Sequence, residues 1–492
     1  MTPMDELRRY VLRNVSLVMP GLFVNQAAIT VGGAILARWV ADPRTFGELS
    51  LALQFLSLAG LLIGVGLPSA LVYDLATERR NAATAYGIAQ RGAFLGALAL
   101  AVCLWLAAPV LGRLYGAPDL PLAIDLGSIG LLASAPLNVT SGALTGMRRF
   151  GLQVGLMILA TALTWILRLL PLPFVHGPAA VAWAVGGGCA GTVGGALVSL
   201  WWVHRLGLRA APRRRGVDGP EASLMLRYGV PIWLANVLKS FQGAYLTMVV
   251  GTVSVAAAGG MSNVVVITGV ITLVTWAFRA IAVPFIAAGR ERPARRQRGM
   301  LCFRLNHFAL YPVTAAFVLY PAVLMTAVFG PAYASTAAYL PLMALGVYVS
   351  GVARLGSDML AADGYSRGSL AVMVLSAVTV AIGAPLAARG GGVAESAVFL
   401  GGWVLSALHT LWLLHRRELG LHAWFVFLEP LLPTLAAIPF ALAAQRLGGA
   451  AGWAADTAAI AVLAVLTWRL GLVSGRRGLP EPAGLAGAPA GS

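Results

Sequence analysis

The sequence predicts an all-α polytopic membrane protein of about 14 transmembrane helices, arranged as two related six-helix lobes followed by two extra helices. Three observations predict this class: a very apolar composition, arginine clusters that recur at alternate turns of the chain, and local motifs that repeat at one offset. Of 492 residues, 59% are hydrophobic and 11% charged, and the mean hydropathy is +0.81. An ordinary soluble domain carries roughly 25% charged residues. The net charge of +17 comes in short arginine clusters between apolar runs, the pattern that the positive-inside rule produces. No basic stripe with interleaved aromatics accompanies it, so nucleic acid is excluded as a partner.

A spanning helix needs about 20 mainly apolar residues. On that scale the apolar runs predict helices at 15–37, 46–73, 84–111, 120–144, 150–170, 179–203, 224–250, 260–288, 301–328, 336–361, 369–388, 393–415, 424–443 and 452–473. The first run follows Arg8, Arg9 and Arg13 as a signal peptide would, but it continues past Gly32 without a cleavage site and reads as a first membrane helix. The runs at 46–73 and 260–288 are long enough to extend beyond the bilayer or to tilt. Pro20, Pro68, Pro136, Pro231 and Pro284 fall inside or near run ends, where neighbouring helices can satisfy the freed carbonyls.

Arg8 and Arg9, Arg79 and Arg80, Arg148 and Arg149, and Arg213 to Arg215 all fall on one side. Arg295 and Arg296, Arg367, Arg416 and Arg417, and Arg476 and Arg477 continue that side, whereas the opposite loops hold only Arg38, Arg44, Arg113, Arg389 and Arg446. The alternation predicts a multi-pass protein of the bacterial cytoplasmic (inner) membrane with both termini in the cytoplasm. Thirteen tryptophans, several near run ends, suit interfacial belts.

The Leu120-Pro121-Leu122 opening of the fourth run is echoed by Leu340-Pro341-Leu342, and SGALTGMRRFG from Ser141 by SDMLAADGYSRGS from Ser357. Leu12-Arg13 followed by Pro20 is echoed by Leu226-Arg227 followed by Pro231. Six helices per half is an even number, so the halves are parallel repeats about an axis along the membrane normal. The expected divisions are a first lobe at 1–205, a basic cytoplasmic linker at 206–222, a second lobe at 223–420, two further helices at 421–475 and a disordered tail at 476–492.

No catalytic constellation or nucleotide-binding motif appears, and no cofactor is expected. Cys103, Cys189 and Cys302 have no metal-ligand or redox spacing, and the histidines mostly lie at run ends, so no metal site is expected. The chemistry lies in intramembrane polarity. A charge at bilayer depth costs about 2.5–3.5 kcal/mol on insertion scales, so it tends to face a bundle interior or a wet cavity. Lys239, the single lysine of the chain, sits in the middle of the seventh run, with Asn236 and Gln242 three residues to either side. Arg279 lies in the eighth run, and Arg354 lies in the tenth, four residues before Asp358. Asp74 closes the second run, and Asn25 and Gln26 supply neutral polarity in the first. Lys239, Arg279 and Arg354 are the expected cavity cations. Asp358 and Asp74 are candidates for coupling or pairing, and Asn25, Gln26, Asn236 and Gln242 are candidate polar lining. The rival readings are a structural partner for Lys239, snorkelling for Arg279 and local neutralisation of Arg354 by Asp358. A cationic interior points to an anionic substrate.

The segment ILARWVADPRTFGELSLALQFLSLAGLLIGVGLPSALVYDLA, with Phe46-Gly47 opening its second helix and Gly66-Leu67 near its end, resembles the first hairpin of Wzx-type polysaccharide flippases. GALTGMRRFG, MLAADGYSRGS and VFGPAYASTAAYLPL resemble further segments of that family, over about residues 8–420. The family belongs to the multidrug/oligosaccharidyl-lipid/polysaccharide exporter (MOP, MATE-like) superfamily. The resemblance implies alternating access of two six-helix lobes around a cationic cavity that receives an undecaprenyl-pyrophosphate-linked oligosaccharide. Membrane lipids and polysaccharide polymerase or export proteins are the partners it implies. Relatives that carry arginine or aspartate in the first helix differ from this chain, which has Asn25 and Gln26 there. A multidrug/cation antiporter would instead place acids deep in helices 1 or 7. A membrane O-antigen ligase or polymerase would need a long catalytic loop, and neither feature is seen.

Overall fold

A computed structural model describes residues 3–40, 42–77, 81–147, 149–175, 178–211, 218–287, 291–363, 365–422, 424–447 and 449–476. They form α-helices with short 3-10 and π turns, and no strand occurs among them. The first bundle comprises α1 (Pro3–Val40), α2 (Pro43–Leu62), α3 (Leu67–Thr77), α4 (Ala82–Tyr115), α5 (Leu120–Gly146), α6 (Phe150–Leu169) and α7 (Pro178–Arg205). The second comprises α8 (Asp218–Val253), α9 (Val255–Ala287), α10 (Arg292–Leu319), α11 (Pro321–Phe329), α12 (Leu340–Ala362), α13 (Ser366–Ala387) and α14 (Gly391–Arg416). Helices α15 (Glu429–Leu447) and α16 (Gly449–Arg476) follow.

Each of the fourteen apolar runs falls on helix. Two of them are broken rather than continuous: 46–73 divides into α2 and α3, and 301–328 into α10 and α11, which meet at 87°. Ten helical stretches among the described residues are long and apolar enough to cross a membrane, and the bent α10–α11 pair makes eleven. One of the ten, Arg367–Arg416, joins α13 to α14. The protein is a multi-pass membrane protein. Its outward faces are apolar, with Leu106, Ile382 and Leu386 68%, 63% and 81% exposed, as side chains that meet lipid should be.

The two bundles repeat each other pair by pair. The pairs α1–α6, α2–α5, α4–α5, α5–α7 and α6–α7 of the first correspond to α8–α13, α9–α12, α10–α12, α12–α14 and α13–α14 of the second. Pro121 and Pro341, the echoed prolines, both stand in the first turn of their helices, α5 and α12, where a missing N–H costs no hydrogen bond.

The α15–α16 pair lies outside this duplication and attaches to α10. An Arg304–Glu429 ion pair and a Tyr311 hydroxyl that donates to the Phe427 carbonyl at 2.7 Å tie it down. Of the expected linker, 212–217 lies outside the described residues, as does the tail from 477 on. The linker's first residues are docked: Ala211 donates its N–H to the Ala83 carbonyl at 3.0 Å, and Arg91 Nη1 donates to the Ala211 carbonyl at 2.8 Å. The second bundle starts earlier than expected, at Asp218.

Helix α2 is capped by Asp42, whose carboxylate accepts from the Thr45 N–H at 2.8 Å and from the Thr45 hydroxyl at 2.6 Å. These bonds hold its carboxyl below the ordinary value of 3.8. A depressed folded-state pKa contributes stability above the unfolded value and loses it as pH falls through the folded value. Asp42→Ala is therefore expected to lower stability by about 1 kcal/mol at neutral pH. The gap in thermal midpoint between wild type and variant should close as the pH is taken below the carboxylate range. A gap that persists at acid pH would show that the cap is not acting through charge.

Candidate functional site

The bundles meet mainly through α1 and α2 on one side and α8 and α9 on the other. Helix α2 packs against both α8 and α9, α1 against α9, and α3 and α4 against α8. The largest buried apolar cluster crosses this interface, bringing Leu36, Phe46 and Leu49 together with Val264, Ile267, Phe329 and Tyr333.

At the arginine-poor end the approach is close. A β-carbon on Gly47 would overlap the Val255 carbonyl, so the backbones of α2 and α9 touch. Phe46 meets Tyr333 edge-on with ring centroids 5.6 Å apart. Arg38, in the last turn of α1, donates Nε–H to the Val328 carbonyl at 2.9 Å and Nη2–H to the Ala327 carbonyl. Those are the terminal carbonyls of α11, which carry the negative end of its dipole.

The break between α2 and α3 provides the second contact, towards the arginine-rich end. Gly64, Val65 and Gly66 have φ of 79°, 40° and 86°, a left-handed run in which Val65 is strained. Leaving the helical path frees the Leu61 carbonyl, and Trp233 Nε1 of α8 donates to it at 2.8 Å. Gly66 and Gly229 then meet backbone to backbone.

The residues singled out from sequence distribute around this interface. Lys239 lies on α8 and Arg279 on α9, the two second-bundle helices that face the first bundle, and their side chains lie outside the described residues. Asn236, one turn before Lys239, is exposed. Gln26 of α1 reaches the interface, its amide pressed against Gly269 of α9. Asn25, next to it, turns the other way and accepts from the Thr161 hydroxyl of α6 at 2.6 Å.

Gln242 is 1% exposed and donates to the Ser376 hydroxyl at 2.8 Å, which commits it to the α8–α13 seam inside the second bundle. Arg354, 7% exposed, lies with its guanidinium carbon 4.8 Å from the Trp403 ring centre. Its helix, α12, has α9, α10, α13 and α14 as main neighbours. Asp358 and Asp74 are also buried, on α12 and α3. The structure therefore gathers the helices of Lys239, Arg279 and Gln26 at one interface, and sets Gln242 and Arg354 within a bundle.

Four groups that the sequence reading did not single out carry structural weight here. Arg168 donates to the Ala184 carbonyl at 3.1 Å and lies over the Trp165 ring. Arg304 pairs with Glu429, and Trp233 bridges the bundles. Glu395 is fully buried with no hydrogen-bond partner for either carboxylate oxygen among the described residues. Each charged member of this set lies inside a run, so intramembrane charge was the available signal. Trp233 carried none.

A family model described as polysaccharide biosynthesis protein matches residues 35–338. The chain belongs to that family. No curated protein matches its sequence. Among solved structures, the inward closed conformation of the lipid II flippase MurJ is similar over 94% of this chain and 99% of that one, with a TM-score of 0.78 and 11% identity. An inward-facing multidrug resistance MATE family transporter of the MOP superfamily is similar over 85% and 98%, with a TM-score of 0.60 and 17% identity. A MOP superfamily transporter from Pyrococcus furiosus is similar over 82% and 95%, with a TM-score of 0.57 and 15% identity. These likenesses establish the fold, two six-helix lobes of the MOP type with two further helices.

Gly66→Ala forces a β-carbon into a left-handed conformation, at about 1–2 kcal/mol, before any overlap with Gly229. Trp233→Phe leaves the Leu61 carbonyl without its donor, at about 1–3 kcal/mol. Both are expected to lower the temperature at which detergent-extracted protein loses its monodisperse peak. Gly186→Ala, where a β-carbon meets open space on α7, should leave it unchanged. Equal behaviour of all three would remove the bundle contact as a determinant of stability.

Proposed function

We propose that the protein is a flippase that moves an undecaprenyl-pyrophosphate-linked oligosaccharide across the bacterial cytoplasmic membrane by alternating access. It would serve cell-surface polysaccharide biosynthesis, act without catalysis, and have both termini in the cytoplasm. The observation that carries the reading is the position of Lys239 and Arg279 on α8 and α9, the pair of second-bundle helices that face the first bundle. Family membership and the fold support it.

The chemistry follows from charge in a low-dielectric setting. Two cations near an interface between helices repel each other and resist dehydration, so closure around an empty cavity is opposed. A pyrophosphate offers several acceptor oxygens and neutralises both groups. Lysine supplies a compact point charge and arginine a planar fork suited to two phosphate oxygens. Anionic cargo thus lowers the cost of bringing the bundles together, which is the differential interaction that a population shift requires. Gln26, against α9, and the exposed Asn236 would supply hydrogen bonds to sugar hydroxyls. Arg354 and Gln242 would hold the geometry of the second bundle, with Asp358 and Asp74 as the acids available to pair or couple. The arginine-rich side, taken as cytoplasmic, would be the side of loading, and polymerase or export proteins would receive the cargo opposite.

The test is translocation of a lipid-pyrophosphate oligosaccharide in reconstituted vesicles. Lys239→Ala and Arg279→Ala are each expected to slow transport at least tenfold while the protein remains folded. An Arg446→Ala control at an exposed position on α15 should transport normally. Normal translocation by both cavity variants would overturn the assignment.

A further inference from the structure

A second basic site lies away from the interface between the bundles, on the outer face of the second bundle at its arginine-rich end. A pocket of about 410 Å³ opens between the start of α13 and the end of α14, with Tyr365, His409, Trp412, Leu413, Arg416 and Arg417 in its lining. Both guanidinium groups are held by aromatic rings. Arg416 lies 4.2 Å from the Trp412 ring centre and Arg417 lies 4.1 Å from that of Tyr365. The His409 imidazole stacks on Trp412 at 5.5 Å.

Among the described residues, the pocket lining contains no carboxylate. Glu418, the next residue along, is directed to Arg292 at 3.3 Å. The two arginines are therefore oriented by rings and, among the described residues, meet no acid within the pocket, an arrangement suited to an anion.

The surroundings identify the source of that anion. From the pocket towards the opposite end, the outer faces of both helices are apolar and exposed. Leu405, Leu408 and Trp412 on α14 are 48%, 59% and 46% exposed, and Val374, Val378 and Ile382 on α13 are 38%, 47% and 63% exposed. A phosphate free in water would use only the basic rim. A phospholipid would use both parts, its phosphate at Arg416 and Arg417 and its acyl chains along the α13–α14 face. Basic pockets between helices at the cytoplasmic surface suit anionic lipid head groups, and Trp412 lies in the last turns of α14, the kind of place near a helix end where interfacial rings collect.

We propose that this pocket holds the head group of an anionic phospholipid. The occupant is a resident lipid of the membrane rather than cargo, because the site lies on the face of α13 and α14 that carries their exposed apolar side chains. It fastens the start of α13 to the end of α14.

Native mass spectrometry of the full-length protein, titrated with phosphatidylglycerol or with phosphatidylcholine of the same chains, tests this. Wild type should retain one phosphatidylglycerol at least fivefold more tightly than phosphatidylcholine. Arg416→Gln and Arg417→Gln, each at a position with solvent access, should lose most of that preference, and Arg446→Gln should keep it. Two single variants keep the test decisive if one of them fails to fold. Equal retention of the two lipids by wild type, or full preference in both pocket variants, would overturn the proposal. Displacement of the lipid by millimolar inorganic phosphate would show that the site takes the free anion instead and would overturn the lipid assignment.

Discussion

Backbone meets backbone where α2 crosses the second bundle, and the rest of the architecture depends on that approach. At Gly47 the chain has no side chain to hold the Val255 carbonyl away, and at Gly66 it lies directly against Gly229. In a membrane, helices gain little from the hydrophobic effect between themselves, because lipid is as apolar as leucine. Association rests on packing and on hydrogen bonds, so positions that let two backbones touch contribute more than their size suggests. The Arg38 donation to the α11 carbonyls and the Trp233 donation to Leu61 add polar contacts at these two places. Both would be expensive to leave unmade in hydrocarbon.

The helices themselves were legible in the sequence because a spanning helix has a length set by the bilayer. Every apolar run lands on helix for that reason. The duplication was legible for a related reason: Pro121 and Pro341 mark the same structural position in two copies of one unit. What the sequence did not reveal was where a run breaks. LIGVGLPSA in the second run reads as apolar helix with two glycines. Its left-handed turn is fixed by Gly229 and Trp233, more than 160 residues away along the chain. The same limit applies to the candidate site. An intramembrane charge is visible in sequence, but whether it faces an interface or a seam within one bundle depends on its neighbours. Gln242 finds Ser376 across 134 residues, and Arg354 finds Trp403 on another helix. Lys239 and Gln242, three residues apart on one helix, illustrate the point: the helix of the first faces the first bundle, while the amide of the second is spent inside the second.

The two bundles share a pattern of packing yet differ in polarity. Around the helices that meet at the interface, the first bundle contributes the neutral amide of Gln26 midway along α1 and Arg38 at its end, and the second contributes the helices of Lys239 and Arg279. A duplicated scaffold can carry this asymmetry because the contacts that define the fold are the small-residue and carbonyl contacts described above, which do not depend on the identity of a residue facing a cavity. Likeness of fold to solved transporters is therefore compatible with a different function.

The Leu61 carbonyl is a hydrogen-bond acceptor whose partner belongs to the other half of the molecule. If the halves rock apart at that point, the indole of Trp233 withdraws and a bare carbonyl remains in a dry setting. Gly64 and Gly66 tolerate both the left-handed and the right-handed path, while Pro68, without an N–H, cannot serve the Gly64 carbonyl in a continuous helix. The kink would then act as a mechanical memory of contact. In the contact described here the turn is bent and its free acceptor is met from the other half, so the direction of α3 is tied to that contact.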